Sequence, residues 1–402
     1  MRSPIYIAAY HQSQFGKLFD MGVPEIIRRA VVGACEEIKI EPKAVDVGAV
    51  GATCNFTLNN QGLLAGLVAQ VPGLGGKPIE AVENACASGG QAIVSVMHKL
   101  LLGDGDVGIA LGYEKMRDAD GQADGRLVGQ ALGYFSHPDE RPGKVFVFPH
   151  LFAEVMDAYL KTYGATEADM AAIAVTEYEN ARHNPYAQMR GVSVTLDQAL
   201  RIEGPNRYIV DGLPLKTYDC SQITDGYASL ILATERGLKK LGVSKADCVE
   251  IAGIAQATDP LKKEGRDVLR PAGANCAMRK AYTMAGLAPS DVNVAEVHDC
   301  FTVMAALATE VIGKAEPGEG ARYWVEGRAR VDGECAINSS GGLIAKGHPV
   351  GATGIAMVGW CAWQLLGKAP AGLQVKAPSA AATFNIGGPI CASVCTVLKP
   401  AS

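Results

Sequence analysis

The sequence predicts a mixed α/β fold built from two copies of one unit, and three observations carry that prediction. Short apolar runs alternate with longer helical ones, the rhythm of mainly parallel sheets covered by helices. Two internal similarities occur in the same order along the 402 residues. The chain is 48% apolar and 20% charged, which suits a large buried core and excludes a disordered or fibrous protein.

The elements of the first half follow this alternation. We assign strands from short apolar runs and helices from longer stretches with helical spacing of apolar residues. In chain order they are a strand over 5–10, a helix over 26–38, a strand over 45–53, a helix over 89–101 and a strand over 107–116.

The alternation breaks between about Arg117 and Gly204, where the chain is richer in Asp, Arg, His and Gly, as in RDADGQADGR. We interpret this segment as an inserted, loop-rich domain. A strand and helix over 226–242 close the first half, and a strand over 248–258 opens the second. The predicted division is 1–116 plus 205–243 for the first half, 117–204 for the insertion and 244–402 for the second half.

Two offsets relate the halves. With an offset of 289 − 42 = 247, Val47 aligns with Val294, and with an offset of 352 − 88 = 264, residues 87–103 align with 351–367. Each match alone is weak because Gly and Ala are common here. Together, in one order, they predict two copies packed about a pseudo-twofold axis, with two helix N-termini directed at one central site.

Cys86 lies in ENACASGG, directly before the helix predicted in the first copy. Small neighbours let a ligand approach the sulfur, and a helix N-terminus lowers the pKa of a thiol. This context indicates a reactive thiolate. The alternative is a small buried apolar residue, as most cysteines are.

His348 lies in KGHPVGATG, directly before the corresponding helix of the second copy. Pro349 suits the first helical turn. A histidine held there can take the proton of a cysteine nucleophile or donate a hydrogen bond to a thioester oxygen. The alternative is a loop histidine satisfied by backbone groups.

Two further segments offer polar groups. His298 and Cys300 are two residues apart at the end of an apolar strand, so they face the same way in an extended chain. Zinc binding is an alternative for this pair, but no other Cys/His cluster is near in sequence, and we predict no metal. Residues 385–391, NIGGPIC, predict a glycine turn whose N–H groups could form an oxyanion hole; the alternative is a plain hairpin turn.

Composition excludes several classes of function. The net charge is −5 and no long basic run occurs, so we expect neither nucleic-acid binding nor a polybasic membrane patch. The spacing of the eleven cysteines does not indicate disulfide pairs, and the N-terminus lacks the apolar core of a signal peptide. Both observations predict a reducing, cytoplasmic location. The charge-free stretch 347–367 is interpreted as a glycine-rich loop and a buried helix rather than a membrane span. The cysteines expected to pack in the core are Cys35, Cys54, Cys248, Cys276, Cys335, Cys361, Cys391 and Cys395.

Four motifs, NACASGG, VHDCF, GGLIAKGHPVGATG and FNIGG, occur in that order. Together they resemble the thiolase superfamily over essentially the whole chain. VHDCF is similar to the sterol-carrier-protein type and its bacterial and archaeal relatives. The resemblance implies a thiolase-like α/β fold, in which two duplicated βαβαβαββ halves pack as a five-layer α-β-α-β-α arrangement with an inserted loop domain.

The resemblance also implies roles for single residues. Cys86 would carry the acyl group, and His348 would activate it and bind the thioester oxygen. His298 would replace an asparagine that holds an oxyanion-hole water. The backbone N–H groups of Cys86 and Gly387 would form a second oxyanion hole, and Ser221 would lie near the pantetheine arm.

One departure from the family pattern concerns the second cysteine. Most thiolases carry an acid/base cysteine in a C-x-G loop, but the aligned residues here are Asn385-Ile386-Gly387. In relatives of the HDCF type the cysteine of that motif takes this role, so the resemblance implies that Cys300 is the proton shuttle.

The implied activity is thiolytic cleavage of a 3-oxoacyl-CoA, or the reverse Claisen condensation, with coenzyme A as co-substrate and no permanently bound cofactor. The acyl group is expected to be medium-length, branched or aromatic, with benzoylsuccinyl-CoA among the candidates. Two alternatives stay open: a decarboxylating ketoacyl synthase and a non-catalytic acyl-CoA-binding subunit. The implied partners are a second copy of the chain, in a homodimer, and a small subunit with a zinc ribbon and an OB-fold.

Overall fold

A computed structural model describes residues 3–117 and 121–401, so part of the RDADGQADGR stretch lies outside the described residues. The strands are β1 (Ile5–Gln12), β2 (Val47–Gly51), β3 (Ile79–Val82), β4 (Val107–Glu114), β5 (Gly226–Thr234), β6 (Val249–Thr258), β7 (Val294–Val297), β8 (Ala336–Ile337), β9 (Ala381–Gly387) and β10 (Ala392–Pro400). The helices are α1 (Val23–Glu36), α2 (Asn55–Leu58), α3 (Leu64–Ala69), α4 (Ser88–Leu102), α5 (Gly125–Gly133), α6 (Val147–Tyr163), α7 (Glu167–His183), α8 (Leu196–Leu200), α9 (Glu235–Leu241), α10 (Ala272–Ala285), α11 (Thr302–Val311), α12 (Gly320–Val325) and α13 (Thr353–Leu365). A π-helical turn covers Gly342–Lys346.

The strands of the described chain form one sheet, in the order β3-β2-β4-β5-β1-β6-β10-β9-β7-β8. Read outward from the junction of β1 and β6, both halves show the same order, with two antiparallel pairings followed by two parallel ones. The junction is short, with Tyr6 opposite Glu250 and Ile7 opposite Val249. The predicted duplication into two α/β halves is therefore confirmed.

Both sequence offsets correspond to equivalent elements. Strand β2 matches β7 at the offset of 247, and α4 overlies α13 at the offset of 264. The helix predicted over 26–38 instead begins at Val23, because Pro24 occupies the first turn, where its missing N–H is not needed.

Helices α4 and α13 lie between the two halves, since each contacts strands of both. Helices α1 and α3 cover the first half and α10 and α11 the second, in agreement with the predicted layers. The central helices approach closely at their N-terminal ends: a Cβ atom on Gly354 would lie 2.3 Å from the backbone nitrogen of Gly90. Only a residue without a side chain permits this approach. Because Cys86 precedes α4 and His348 precedes α13, the contact brings the two residues together.

The segment between β4 and β5 contains helices α5 to α8. Helix α7 begins with a capping box in which Thr166 and Asp169 satisfy each other's backbone N–H groups. Helices α6 and α7 pack on α11, and α7 also packs on the turn at Gly342–Lys346. The inserted segment therefore covers the loops of the second half that carry His298 and His348.

No helix in the described part of the chain is long and apolar enough to cross a membrane. The charge-free stretch 347–367 forms a loop followed by the buried helix α13, as the sequence predicts.

Candidate active site

Cys86 lies in a strained turn between β3 and α4. Ala85 has a φ of 47°, in the left-handed region that an alanine rarely adopts. The turn is held by hydrogen bonds to the Ala85 carbonyl oxygen from the hydroxyls of Ser88 (2.6 Å) and Thr53 (3.0 Å). This bracing presents the Cys86 side chain at the N-terminal end of the central helix.

Three predicted residues meet at one point. The ligand atoms of Cys86, His298 and His348 all lie within 4.8 Å of one another. The two imidazole rings are 4.9 Å apart between centroids and perpendicular. The predicted convergence of the two helix beginnings is therefore confirmed. The same three atoms could also hold a soft divalent cation.

The contacts of His348 favour one tautomer. The Thr353 hydroxyl donates to the carbonyl oxygen of Pro349 (3.1 Å), so it accepts from Nδ1 of His348 (2.7 Å). Nε2 then has a free lone pair. Burial lowers the pKa of His348 to about 3, so the ring is neutral and can accept a proton.

The hydrogen bonds of His298 give the opposite tautomer. The side-chain amide nitrogen of Asn385 donates to the Cys86 carbonyl oxygen (3.0 Å) and to Nδ1 of His298 (3.0 Å). If the side-chain amide of Asn385 were flipped, its oxygen would face the Cys86 carbonyl oxygen, and two acceptors would meet. Nε2 of His298 therefore carries the hydrogen, and it is buried without a partner among the described residues. Burial and then the neighbouring His348 lower the pKa of His298 well below its ordinary value, so this neutral ring is a donor.

The state of the Cys86 thiol differs from the sequence expectation. Burial and then the charge of Glu114 raise the pKa of Cys86 to about 12, although the backbone N–H groups of Cys86 and Gly388 act in the opposite direction. The expected lowering by the helix N-terminus is wrong as a net effect, because desolvation outweighs it. Cys86 therefore rests as a thiol that needs a base. The turn amide that meets its sulfur is that of Gly388, one residue beyond Gly387, whose role stays a prediction.

Glu114 is a functional residue that the sequence analysis missed. Its buried carboxylate accepts hydrogen bonds from the backbone N–H groups of Thr53 (3.1 Å), Cys54 (2.8 Å) and Gly351 (3.0 Å). It thus joins the end of β4 to the loop that carries His348. Burial raises the pKa of Glu114 to about 7. An acidic residue at the end of a continuous apolar strand was the available signal.

A second acidic pair, also missed, holds the loop of His298. Asp299 accepts hydrogen bonds from the N–H groups of Leu343 and Ile344. It also meets the buried Glu177 of α7, whose pKa is raised well above its ordinary value by burial and then by the charge of Asp299. Asp299 and Glu177 thus bring the loop of His298, the turn at Gly342–Lys346 and helix α7 of the inserted segment together.

The site opens into one cleft, which we call the active-site cleft. It is lined by Cys86, Met116, Gly125, Val128, Gly129, Leu132, Phe146, Val147, Phe148, Pro149, Cys220, Ser221, Gln222, Ile223, Cys300, Phe301, His348 and Val350. Cys300 and Ser221 are thus beside Cys86, and the N–H of Ser221 donates to the Cys300 carbonyl oxygen (3.0 Å). Burial and then Cys86 raise the pKa of Cys300, which keeps it protonated.

The other cysteines are free thiols. Most of those predicted to be in the core are buried, but Cys276 is exposed on α10, because it lies on the side of that helix turned away from β6 and β10. Cys220 lines the active-site cleft, a placement that no sequence motif indicated.

Comparisons with known proteins agree with this geometry. The family model described as "Thiolase, N-terminal domain" matches residues 5–199, and the one described as "Thiolase C-terminal domain-like" matches 255–400. The chain is 34% identical over 385 residues to an acetyl-CoA acetyltransferase of Methanothermobacter thermautotrophicus, which covers 96% of both chains. It is 30% identical over 389 residues to the benzoylsuccinyl-CoA thiolase subunit BbsB of Thauera aromatica, covering 96% of this chain and 94% of that one. The solved structure named Ltp2-ChsH2(DUF35) aldolase shares the fold, with a TM-score of 0.81 at 20% identity over 99% of this chain and 98% of that chain.

Proposed function

The chain belongs to the thiolase family and is an acyltransferase, and we propose that it cleaves a 3-oxoacyl-CoA with coenzyme A through an acyl-Cys86 intermediate. In reverse, the same groups would carry out a Claisen condensation. One observation carries the proposal: the Cys86 sulfur lies beside two neutral histidines of opposite tautomer. A protonated thiol needs a base, and the oxygen that gains charge needs a donor.

In the first step, Sγ of Cys86 attacks the C3 keto carbon of the substrate while the thiol proton passes to Nε2 of His348. The keto oxygen gains negative charge as the new bond forms. The backbone N–H groups of Cys86 and of the Gly387–Gly388 turn would donate to it.

In the second step, the bond between C2 and C3 breaks. Its electron pair moves to the thioester fragment as an enolate, and the acyl group remains on Cys86. Nε2–H of His298 and the now protonated His348 would donate to the enolate oxygen. Transfer of the Cys300 proton to C2 releases the first acyl-CoA product.

In the third step, the thiol of coenzyme A attacks the carbonyl carbon of acyl-Cys86 and gives its proton to the Cys300 thiolate. The Cys86 sulfur leaves and recovers its proton from His348. The second acyl-CoA departs, and every group has returned to its starting state. Asn385 stands where most thiolases have their acid/base cysteine, and here it orients His298. In this proposal the acid/base role therefore belongs to Cys300.

For the acyl group we propose a medium-length, branched or aromatic chain. Helices α5 and α6 contribute Val128, Leu132 and Phe148 to the cleft, and the loop before α11 contributes Phe301. Such a wall favours wide apolar groups. The name of the relative from Thauera aromatica supports an aromatic substrate. Ser221, whose N–H donates to the Cys300 carbonyl oxygen, would lie near the pantetheine arm.

A basic depression on the other face of α5 is our candidate for the phosphates of coenzyme A. It is lined by Arg126 and Lys144 together with Tyr134, and by Arg141, whose guanidinium already donates to the carbonyl oxygens of Tyr134 and Ser136. Basic side chains bind phosphate groups. Removing one of these charges should raise the KM for coenzyme A severalfold and leave kcat nearly unchanged, because the contact is the same in the ground state and the transition state.

We propose two protein partners. Strand β3 is at the edge of the sheet and pairs only with β2 among the described strands, so its free side could pair with a second copy of the chain, next to Cys86. The names BbsB subunit and Ltp2-ChsH2(DUF35) support a small additional subunit. Sedimentation of the chain alone and with a co-purified subunit would test both.

The central test is detection of the acyl-enzyme. Incubation with a 3-oxoacyl-CoA in the absence of free coenzyme A should add one acyl mass to the intact protein, and Cys86→Ala should abolish it. The matched control is Cys276→Ala, which removes an exposed thiol of α10 outside the cleft. Turnover of Cys86→Ala at the wild-type rate would exclude the mechanism. Decarboxylation of malonyl-CoA would indicate a ketoacyl synthase, and binding without an adduct would indicate a non-catalytic subunit.

A further inference from the structure

Among the residues that the structure describes, the side chains lining the active-site cleft carry no formal charge. Of the described residues that line it, none is Asp, Glu, Lys or Arg. Its polar groups are thiols, the Ser221 hydroxyl, the Gln222 amide and the His348 ring, and burial keeps that ring neutral by lowering its pKa. The described side chains that a substrate meets along the cleft from Cys86 are therefore uncharged.

The two cations that flank Met116 in sequence, Lys115 and Arg117, are engaged elsewhere, and Arg126, next to Gly125, lies in the basic depression on the other face of α5. Arg117 donates to the backbone carbonyl oxygens of Gly121 (3.1 Å) and Ile223 (3.0 Å). Lys115 donates to the carbonyl oxygen of Leu18 and pairs with Asp225. A guanidinium or ammonium committed in this way cannot turn to a ligand without leaving buried carbonyl groups unpaired.

A helix N-terminus does not supply the missing positive charge either. Gly125 lines the cleft at the start of α5, but the Asp124 side chain accepts the hydrogen bonds of the Arg126 and Leu127 N–H groups. That end of the helix is thus already paired with a carboxylate.

The charge that does act on the cleft is negative. Glu114 lies behind Cys86 and raises the pKa of that thiol. An additional carboxylate on the substrate would be buried in the cleft without a counter-ion, and burial of an unpaired charge is strongly unfavourable.

We infer that the substrate of this protein has an uncharged acyl group beyond the keto carbon, because the uncharged cleft walls, the engaged cations and the paired start of α5 leave a second carboxylate without a partner. The inference rests on the proposed function and narrows it. It favours neutral aromatic, branched or medium-length chains over chains that end in a carboxylate, such as that of 3-oxoadipyl-CoA.

A matched pair of substrates tests the inference with the full chain. 3-Oxohexanoyl-CoA and 3-oxoadipyl-CoA have the same carbon chain and differ in whether it ends in a methyl or a carboxylate. We expect kcat/KM for the neutral substrate to exceed that for the carboxylate by about 100-fold or more, as for burial of an unpaired charge. Ratios within about threefold of unity would overturn the inference while leaving the proposed function intact. Failure of both substrates, with no acyl-Cys86 adduct, would overturn the proposed function and the inference with it.

A second measurement introduces the missing charge. Leu132 lines the cleft and is half-buried, so Leu132→Arg could direct a guanidinium to the chain end, and the ratio should shift toward 3-oxoadipyl-CoA by about tenfold. Leu132→Gln controls for the lost apolar side chain, and Leu127→Arg places the same charge on the exposed face of α5, outside the cleft. Both controls should change the ratio by less than about twofold. An equal shift with Leu127→Arg would show that the ratio responds to charge outside the cleft, and would contradict the inference.

Discussion

The floor and the wall of the active-site cleft are built by different parts of the chain. The floor consists of Cys86, His298 and His348, which lie at the inner ends of the two duplicated halves. Each is held by a second polar contact, such as Thr353 for His348 and Asn385 for His298. The wall is formed largely by helices α5 and α6 of the inserted segment, with apolar side chains and no comparable polar network.

This difference separates chemistry from selectivity. Floor groups act on the reacting atoms and are fixed by buried hydrogen bonds, so a change there alters the rate for every substrate. Wall residues touch the part of the substrate that does not react, so a change there alters which substrate is preferred. The predictions below test this separation, beginning with the floor.

The largest effect is expected for His348→Ala. Loss of the base that takes the Cys86 proton should slow acylation by about 10³-fold, within the range usual for general bases. Thr353→Val, which removes the hydroxyl that accepts from Nδ1, should cost about tenfold because the ring keeps its lone pair but loses its orientation. Single-turnover mass measurements of acyl-Cys86 give both rates. His183→Ala, on the exposed end of α7, is the control. If the loss of acylation rate in His348→Ala differed strongly from one substrate to another, the separation of floor and wall would be contradicted.

A smaller effect is expected for the donor. His298→Ala should lower kcat by about 10²-fold, as for other oxyanion donors, with little change in KM. Asn385→Asp is the diagnostic variant, because a carboxylate accepts a hydrogen bond at Nδ1 and would draw the hydrogen away from Nε2. Its loss should approach that of His298→Ala, whereas Asn385→Leu should be milder. If Asn385→Asp retained full activity, the assigned tautomer of His298 would be wrong.

The duplicated fold and the three meeting side chains could be predicted because they leave local signals. Two weak repeats fixed the equivalence of α4 and α13, and a reactive residue before each helix then had to face the same point. The topology confirms that equivalence strand by strand. The meeting of Cys86 and His348 follows from this internal symmetry alone, without knowledge of contacts between residues distant in the chain.

The supporting contacts could not be predicted, because they join residues far apart in the chain. Glu114 and Gly351 are separated by 237 positions, and the charge of Glu114 adds to burial in raising the pKa of Cys86. The sequence shows the helix N-terminus that lowers the pKa of a thiol but not the burial that raises it, so the net direction was predicted wrongly. In the sequence, Asn385 is notable only because it stands where most thiolases have a cysteine. Its hydrogen bonds to Cys86 in the first half and His298 in the second are visible only in the structure.

The wall should respond differently from the floor. Val128→Ala enlarges the cleft by the volume of two methyl groups, so kcat/KM for a bulky aromatic substrate should rise relative to that for acetoacetyl-CoA by about tenfold. The rate of acylation by acetoacetyl-CoA itself should change by less than about threefold. Val325→Ala, at the exposed end of α12, is the control. A uniform loss for all substrates would show that α5 supports the floor as well.

The smallest effect is expected from pH, and it arises from the floor. His348, with its pKa near 3, stays neutral as pH falls through about 6.5, where an ordinary histidine becomes charged, so acylation should show no acid limb there. Glu114 ionises as pH rises through about 7, and its charge disfavours the thiolate that forms during attack. The rate should therefore fall by about two- to fivefold above neutral pH, and Glu114→Gln should remove that fall. A rate that instead rises with pH near 6.5 in both proteins would mean that the histidines are hydrated and titrate normally, and the floor would then be as open to water as the mouth of the cleft.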